Sequence, residues 1–434
     1  MRYIGFLGAI LVAISCTGQT TTQTQKRYGY GLPATGSEKT IHTIYTNPGE
    51  DCSTMMNISF ATPVGTDATV EVTGGGETLT FESTGKECRT FDNVKSKLTN
   101  GKDVIEKHVF DKHEVILKGL KPDTEYSYVI LADSAGYTVE SDEHTFCTAG
   151  AASWRAAVIG DFHHYAPLWR RLENAMGMID VLDSVSGGVD WVLTTGDQSS
   201  WGGSYNFWTE LSEQPAYIDF MWAAVQGNHD HATSDKIKSD AYFRDSHFFP
   251  NNGYEGQEGV SYWFKYGDVL FIMLNNEAMR KSGSLTPALE WMEKVVEENP
   301  TKYIVVVEHS EWLIGTDGKS SNLDRFRKTF DRLGVDLAIS GNNHAYIRTY
   351  PLFDRQPVEP GEGTYYVVTP SSDNDRGRDL KPMIENKKIV EKRWSEGSKT
   401  VGGMVMDVNP ERIVMTLYDR NGKVQDTYTA PSRR

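Results

Sequence analysis

Five times in this chain an apolar run ends at a glycine or an acidic residue and gives way at once to Asp, Asn or His. Ala157-Val-Ile159 breaks at Gly160 and presents Asp161, His163 and His164, and Val192-Leu-Thr-Thr-Gly196 leads into Asp197. Ala223-Ala-Val-Gln-Gly227 leads into Asn228, His229 and Asp230, Ile304-Val-Val-Val-Glu308 into His309, and Leu337-Ala-Ile-Ser-Gly341 into Asn342, Asn343 and His344. Short apolar runs bounded by glycine read as buried strands. In an open α/β sheet the crevice beyond the carboxyl ends of parallel strands collects ligands, so residues far apart in sequence converge there. A single Gly-Asp or lone His reads as a capping carboxylate or a satisfied core imidazole. Five in register point to a metal centre, because Asp oxygen and His nitrogen together suit Zn, Mn or Fe, and a carboxylate can bridge two cations.

With 434 residues the chain has room for two or three domains and a large core. Its formal net charge of -15 argues against a nucleic-acid partner, since binding to phosphate backbones is driven by clustered Lys and Arg. At the N-terminus, Arg2 precedes an apolar run from Ile4 to Ile14 that is too short to span a bilayer and reads as a signal-peptide core. Ala13-Ile-Ser-Cys16 looks like a bacterial lipoprotein cleavage site with Cys16 as the lipidated residue, and Thr17 to Gln25 reads as a tether. Residues 1–25 are therefore expected to be a leader and tether, and the protein to be exported to the periplasm or cell surface, touching the membrane only through its lipid. Ordinary cleavage nearby, giving a soluble exported protein, stays open. Export makes a disulfide between Cys52 and Cys88 an expectation, and the spacing of Cys52, Cys88 and Cys147 fits no zinc motif.

From about Ile41 to Thr148 the pattern has period two, as in Met56, Ile58 and Phe60, or Tyr126, Tyr128 and Ile130, which predicts a β-sandwich over residues 26–149. Its histidines His108, His113 and His144 stand among polar residues and read as solvated. Beyond the small-residue joint Ala149 to Ser153, strands alternate with helices, and residues 150–434 form an α/β domain. Helical spacing runs from Leu168 to Val185; Thr286-Pro287 opens a second helix with Leu289, Met292 and Val296 as its buried stripe, and Leu323 to Leu333 makes a third. Val260 to Tyr266 and Val269 to Leu274 read as a hairpin, while Met404 to Val408 and Ile413 to Leu417 close a second sheet. The aromatic segment from Trp201 to Trp222 reads mostly as core, with Trp201 near the site because it follows Asp197 so closely.

Gly160-Asp-Phe-His163, Gly196-Asp197, Gly227-Asn-His-Asp230, Glu308-His309 and Gly341-Asn-Asn-His344 resemble, in order, the five motifs of calcineurin-like metallophosphoesterases. Ser340 to Leu352 is especially like the purple acid phosphatase branch, whose members carry a fibronectin type III-like domain in front. Gly119 to Tyr126 similarly resembles the corner before a late strand of such a domain, where the Tyr hydroxyl bonds back to backbone. The resemblance implies a fibronectin III-like β-sandwich followed by a four-layer αββα domain. It implies that Asp161, His163, Asp197 and His344 hold a first metal, that Asp197 bridges, that Asn228 and His309 hold a second, and that His229 lies beside the scissile phosphate as general acid or transition-state stabiliser. Two divalent cations (Zn, Mn or Fe) would then serve in-line attack of a metal-bound hydroxide on a small phosphomonoester, with phosphodiesters the alternative. Around that centre, His164, Trp201 and Lys319 are candidate substrate contacts.

Three departures from the purple enzymes matter. Ser200 stands where their tyrosine colours Fe(III), so a colourless protein is expected. The His pair beyond their fourth motif is missing, the equivalent stretch being Gly315-Thr-Asp-Gly-Lys319. Most seriously, Asn342 replaces a second-metal histidine, and a neutral amide is the poorer donor for late first-row metals. A weak or empty second site follows, and with it the competing expectation of a non-catalytic metal- or phosphate-binding surface lipoprotein.

Overall fold

Full burial on both faces explains why the motif strands read as unbroken apolar runs rather than alternating ones. In strand Tyr303–Glu308, Tyr303, Val305 and Val307 point into one core, while Ile304 and Val306 point into another. The computed structural model describes residues 40–95, 103–134, 136–150, 153–165, 168–231, 241–279, 285–373 and 375–434. The expected leader and tether, with Cys16, lie outside the described residues.

Two sheets face each other across the first core. One runs, in spatial order, Met221–Ala224, Trp191–Thr194, Trp154–Ile159, Gly402–Val408, Arg412–Asp419 and Val424–Pro431. Its first three strands are parallel and the rest antiparallel. The other runs Tyr262–Tyr266, Val269–Leu274, Tyr303–Glu308, Leu337–Ser340, Tyr365–Val368, Tyr346–Thr349 and Val390–Trp394, parallel at its centre and antiparallel at both margins. Helix Arg170–Ser186 packs Leu172, Ala175, Met178, Ile179 and Leu182 against the first sheet. Helices Leu285–Glu298 and Leu323–Leu333 cover the outer face of the second. The layers are therefore helix, sheet, sheet, helix.

Some expectations shift. The C-terminal strands extend the first sheet instead of closing the second, because Gly402–Val408 takes the free edge of Trp154–Ile159, with Ala156 opposite Met406. Leu168 precedes its helix and is exposed, and the buried stripe of Leu285–Glu298 is Ala288, Met292 and Val295, with Leu289 and Val296 only partly covered at its margin.

The N-terminal domain pairs a sheet of His42–Pro48, Met55–Thr62, Asp103–Lys118 and Lys86–Lys95 with a second of Glu77–Thr84, Asp67–Gly74, Glu125–Ser134 and Tyr137–Glu140, to which His144–Cys147 adds. Met56, Ile58 and Phe60 meet Val70, Val72, Tyr128 and Ile130 in its core. The opposite face of Met55–Thr62 is polar yet also buried, because it rests on the second domain: the Asn57 amide donates to the Phe248 carbonyl at 3.0 Å and that of Asn47 to the Trp222 carbonyl at 2.8 Å. The Tyr126 hydroxyl accepts the Lys121 N–H at 2.8 Å, closing the expected corner.

The histidines of this domain are not solvated. His108, His113 and His144 are all buried; His113 is held between Thr62 and Ser83 hydroxyls at 3.0 Å each and stacked on Phe60. For His113 the partners come from other strands, distant in sequence, and their hydrogen bonds make its burial possible. Nor is there a Cys52–Cys88 disulfide: Cys52, Cys88 and Cys147 are free. Cys52 follows the strand at one edge of its sheet and Cys88 sits on the strand at the other, with two strands between them. Strand spacing puts such edges about 14 Å apart, far beyond the reach of an S–S bond.

Candidate active site

The five motif strands end together, but from two sheets rather than one. Trp154–Ile159, Trp191–Thr194 and Met221–Ala224 deliver Asp161, His163, Asp197 and Asn228 from the first sheet, and Tyr303–Glu308 and Leu337–Ser340 deliver His309, Asn342 and His344 from the second. The backbone turns sharply after three of these strands: Asp161, His163, Asp197, Asn342 and His344 all have φ between 46° and 66°. L-residues pay for that conformation, Asp, Asn and His least among those with a side chain, and such strain concentrates at functional sites. Two glycines make the convergence sterically feasible. A Cβ on Gly227 would lie 2.2 Å from an Asp197 carboxylate oxygen, and one on Gly341 would lie 2.7 Å from Asp161.

Asp161, His163, Asp197 and His344 are buried with one ligand atom each, all within 4.8 Å of one another. Three imidazoles are oriented in the same way. Nδ1 of His163 donates to the Asp161 carbonyl at 2.8 Å, Nδ1 of His309 to the Thr195 carbonyl at 2.7 Å, and Nδ1 of His344 to the Arg376 carbonyl at 2.8 Å. A carbonyl can only accept, so the N–H sits on Nδ1 and each ring turns its Nε2 lone pair inward. Those lone pairs face carboxylates: His163 and His309 lie 3.0 and 3.4 Å from the same Asp197 oxygen, Oδ2, and His344 lies 3.5 Å from Asp161 Oδ1. Nε2 of His163 is buried without a hydrogen-bond partner. Imidazole nitrogens aimed at carboxylates across such gaps can share either a proton or a cation with them, and rings held through the other nitrogen are how metal-binding histidines are oriented. The residues present therefore fit the metal centre that the motifs imply.

Electrostatics tell the same story. Burial pushes the Asp161 carboxyl up to about 7, and burial together with neighbouring His163 holds His344 well below its usual range. Burial opposes charge on His309 too, but the adjacent Asp197 outweighs it and lifts the imidazole to about 10. Burial likewise works against ionisation of Asp197, yet His309 and His163 together hold that carboxylate well below its ordinary value.

Asp197 is central: its Oδ1 accepts the His229 N–H at 2.8 Å while Oδ2 faces both halves of the site. Asn228 joins the second half, its Oδ1 lying 3.2 Å from Nε2 of His309. Asn342 contributes differently. Its backbone N–H lies 3.0 Å from both Asp161 oxygens, and its side-chain amide donates to Glu311. His229 fixes Nδ1 on the Ser200 carbonyl at 3.0 Å, but its Nε2 faces a guanidinium, that of Arg376, at 3.3 Å. Trp201 lies edge-on to His229, with 6.5 Å between ring centroids, beside the site as expected.

Two expected substrate contacts are corrected. His164 is fully buried, with Nε2 on Glu210 at 2.5 Å and its ring against Trp169 and Phe207, so it packs the scaffold beneath the site. Lys319 is half exposed, 3.8 Å from Asp317 within its own turn, and among the described residues no contact joins it to the ligand cluster. Ser200, standing where a tyrosine would colour iron, donates its hydroxyl to the His163 carbonyl at 2.7 Å.

Sequence reasoning missed the segment from Ser371 to Arg376. The Ser371 hydroxyl donates to the Asp161 carbonyl at 2.9 Å, Asp373 lies 3.6 Å from Nδ1 of His163, and Arg376 touches His229 and, through its carbonyl, His344. A signal was present: Tyr365–Val368 is a sixth apolar parallel strand beside Leu337–Ser340, and it too is followed by an aspartate.

Comparison with known proteins now bears on this geometry. Residues 155–346 match the calcineurin-like phosphoesterase family, and residues 39–148 match the N-terminal domain of purple acid phosphatases. The chain thus carries a calcineurin-like metallophosphoesterase domain, the domain of a family of phosphoric ester hydrolases, behind a purple acid phosphatase N-terminal domain. These two domains make it purple acid phosphatase-like. Its fold is similar to that of a purple acid phosphatase from yellow lupin (Lupinus luteus) seeds, with a TM-score of 0.73 at 16% identity over 90% of this chain and 74% of that one. GAP50, the anchor in the inner membrane complex of Plasmodium, is more distant, with a TM-score of 0.45 at 13% identity over 65% of this chain and 90% of that one. No curated protein matches the chain.

Proposed function

We propose that this protein is an exported phosphatase that hydrolyses small phosphomonoesters at a two-cation centre. The observation that carries the reading is the single Asp197 oxygen facing His163 on one side and His309 on the other. Asp161, His163 and His344 would hold the first cation, His309 and Asn228 the second, and Asp197 would be shared between them. When bound, such a pair polarises phosphoryl oxygens and lowers the pKa of a coordinated water towards about 7. The protein's own contribution is to fix each imidazole through Nδ1, to exclude bulk water by burial, and to hold His229 beside the reacting phosphoryl group, where its imidazolium form would give a proton to the leaving-group oxygen.

The test is turnover of p-nitrophenyl phosphate by metal-loaded protein, with Asp197→Asn and His229→Ala as controls. Equal turnover in all three would assign the activity to a contaminant. Because Ser200 cannot supply a tyrosinate ligand, the active protein should show no visible charge-transfer band, whichever divalent metal it holds. Export rests on the apolar run Ile4 to Ile14 and on Cys16. Cell fractionation tests it: membrane-associated protein that becomes soluble on Cys16→Ala supports the lipid anchor, and cytoplasmic protein removes the proposal.

A further inference from the structure

We infer that Arg376 is the phosphoryl-binding residue of this site and the source of a preference for monoesters over diesters. This inference rests on the phosphatase reading above. The enzymes that the chain resembles carry a His pair beyond the fourth motif, and here that stretch, Gly315 to Lys319, holds no histidine, while its Lys319 pairs with Asp317 in its own turn. Another group must then complete the anion site, and the structure brings a guanidinium to His229.

Three observations place that guanidinium. Its NH2 nitrogen lies 3.3 Å from Nε2 of His229, the imidazole whose inward nitrogen does not face a carboxylate. Its own backbone is tied to the centre at both ends of the residue: the Arg376 carbonyl accepts Nδ1 of His344 at 2.8 Å, and its N–H donates to Asp373 at 3.0 Å. The segment is anchored again where the Ser371 hydroxyl meets the Asp161 carbonyl. Arg376 is thus positioned by the same residues that form the ligand cluster, and a change in its side chain need not disturb them.

The chemistry follows from charge. Arg376 is half-buried, and the carboxylates near it are Asp161, Asp197 and Asp373. Once Asp161 and Asp197 are committed to cations, Asp373 alone is left to compensate the guanidinium, and the site is completed by an anion. Among the described residues His229 is the one side chain to which the guanidinium is bonded, so its other N–H groups are available. Arginine presents them as a planar fork that matches two phosphoryl oxygens, which a point charge such as lysine cannot reproduce. A monoester dianion offers three terminal oxygens, enough for the metal centre and the fork together. A diester offers two, both needed at the metals, and gains little from Arg376.

The experiment compares wild-type protein with Arg376→Ala and Arg376→Lys on p-nitrophenyl phosphate and bis(p-nitrophenyl) phosphate, with metal content measured on each. For Arg376→Ala, kcat/KM for the monoester should fall about 10- to 100-fold, as for loss of a charge-assisted hydrogen bond pair, while the diester falls less than about threefold and metal content is unchanged. Arg376→Lys should recover only part of the loss. Isothermal titration with inorganic phosphate supplies a readout independent of turnover, and the Kd of the alanine variant should rise about tenfold or more. Equal losses on monoester and diester, or an unchanged phosphate Kd, would overturn the assignment. If wild-type protein turns over neither ester while the phosphate Kd still depends on Arg376, the phosphatase reading fails and the anion site stands.

Discussion

His309 and His247 have the same local design and opposite character. Each is buried, and each fixes Nδ1 on a backbone carbonyl, that of Thr195 at 2.7 Å for His309 and that of Phe243 at 3.2 Å for His247. Each therefore turns Nε2 towards whatever lies across from it. For His309 that is Asp197, and the imidazole is lifted to about 10 although burial opposes its charge. For His247 the surroundings are the rings of Tyr45, Trp208, Phe243 and Phe249, Nε2 has no partner, and burial drives the group down to about 3. An orphaned imidazole nitrogen is thus no metal signal by itself. What decides is the group opposite: a carboxylate lets Nε2 share a proton or a cation with it, whereas a ring makes it ordinary core.

The sharpest way to break this comparison is to remove the carboxylate. Asp197→Asn leaves the shape intact but takes away the charge that His163 and His309 share, and activity on p-nitrophenyl phosphate should fall about 10³-fold or more, a loss of several kcal/mol in transition-state stabilisation. Retention of more than a tenth of the activity would mean that Asp197 does not join the two halves. Next in size is the difference between the halves. His344→Ala should lose the first cation and His309→Ala the second, so elemental analysis should find the tighter metal missing only in the former. Identical metal content in both variants would contradict the division drawn here. Asn342→His is smaller and of opposite sign. An imidazole in place of the amide should tighten the second cation about tenfold or more, read by metal titration, and raise turnover at low metal. Its one structural cost is the bond from the Asn342 amide to Glu311.

How much of this was legible beforehand also turns on what lies opposite each residue. Strand-end aspartates and histidines could be read because their spacing repeats along the chain, and the repeat survives without knowing the fold. The individual strands and helices followed from periodicity and turn residues, whereas the layering and the corner at Tyr126 came only through the resemblance to a known family. What could not be read is pairing across the fold. His164 stands next to His163 in sequence yet faces Glu210, and His113 looked solvated because its partners, Thr62 and Ser83, come from other strands. Arg376 belongs to a charged segment that resembles a solvent loop until the sixth strand end places it over His229. The C-terminal strands were assigned to the wrong sheet since alternation gives the face of a strand and not its neighbour.

The last test works on His247, where no chemistry is expected and the effect is on stability alone. An unfolded histidine titrates near 6.5, and the folded value of about 3 means that the native state binds fewer protons across the interval between them. Stability is therefore fully present above about pH 6.5 and declines as pH falls towards about 3, by up to roughly 1.4 kcal/mol per unit for this one group. His247→Phe removes the titration while keeping a ring among Tyr45, Trp208 and Phe249, so its denaturation midpoint should fall less steeply between pH 6.5 and 4.5 than that of the wild type. The metal-loaded protein serves for this measurement, because His247 contacts none of the candidate ligands among the described residues and the slope difference isolates it. Parallel pH profiles would show that His247 titrates in the folded protein as it does in the unfolded chain. In that case aromatic surroundings would not suffice to silence a buried imidazole, and the distinction drawn from His309 would have to rest on distance to Asp197 alone.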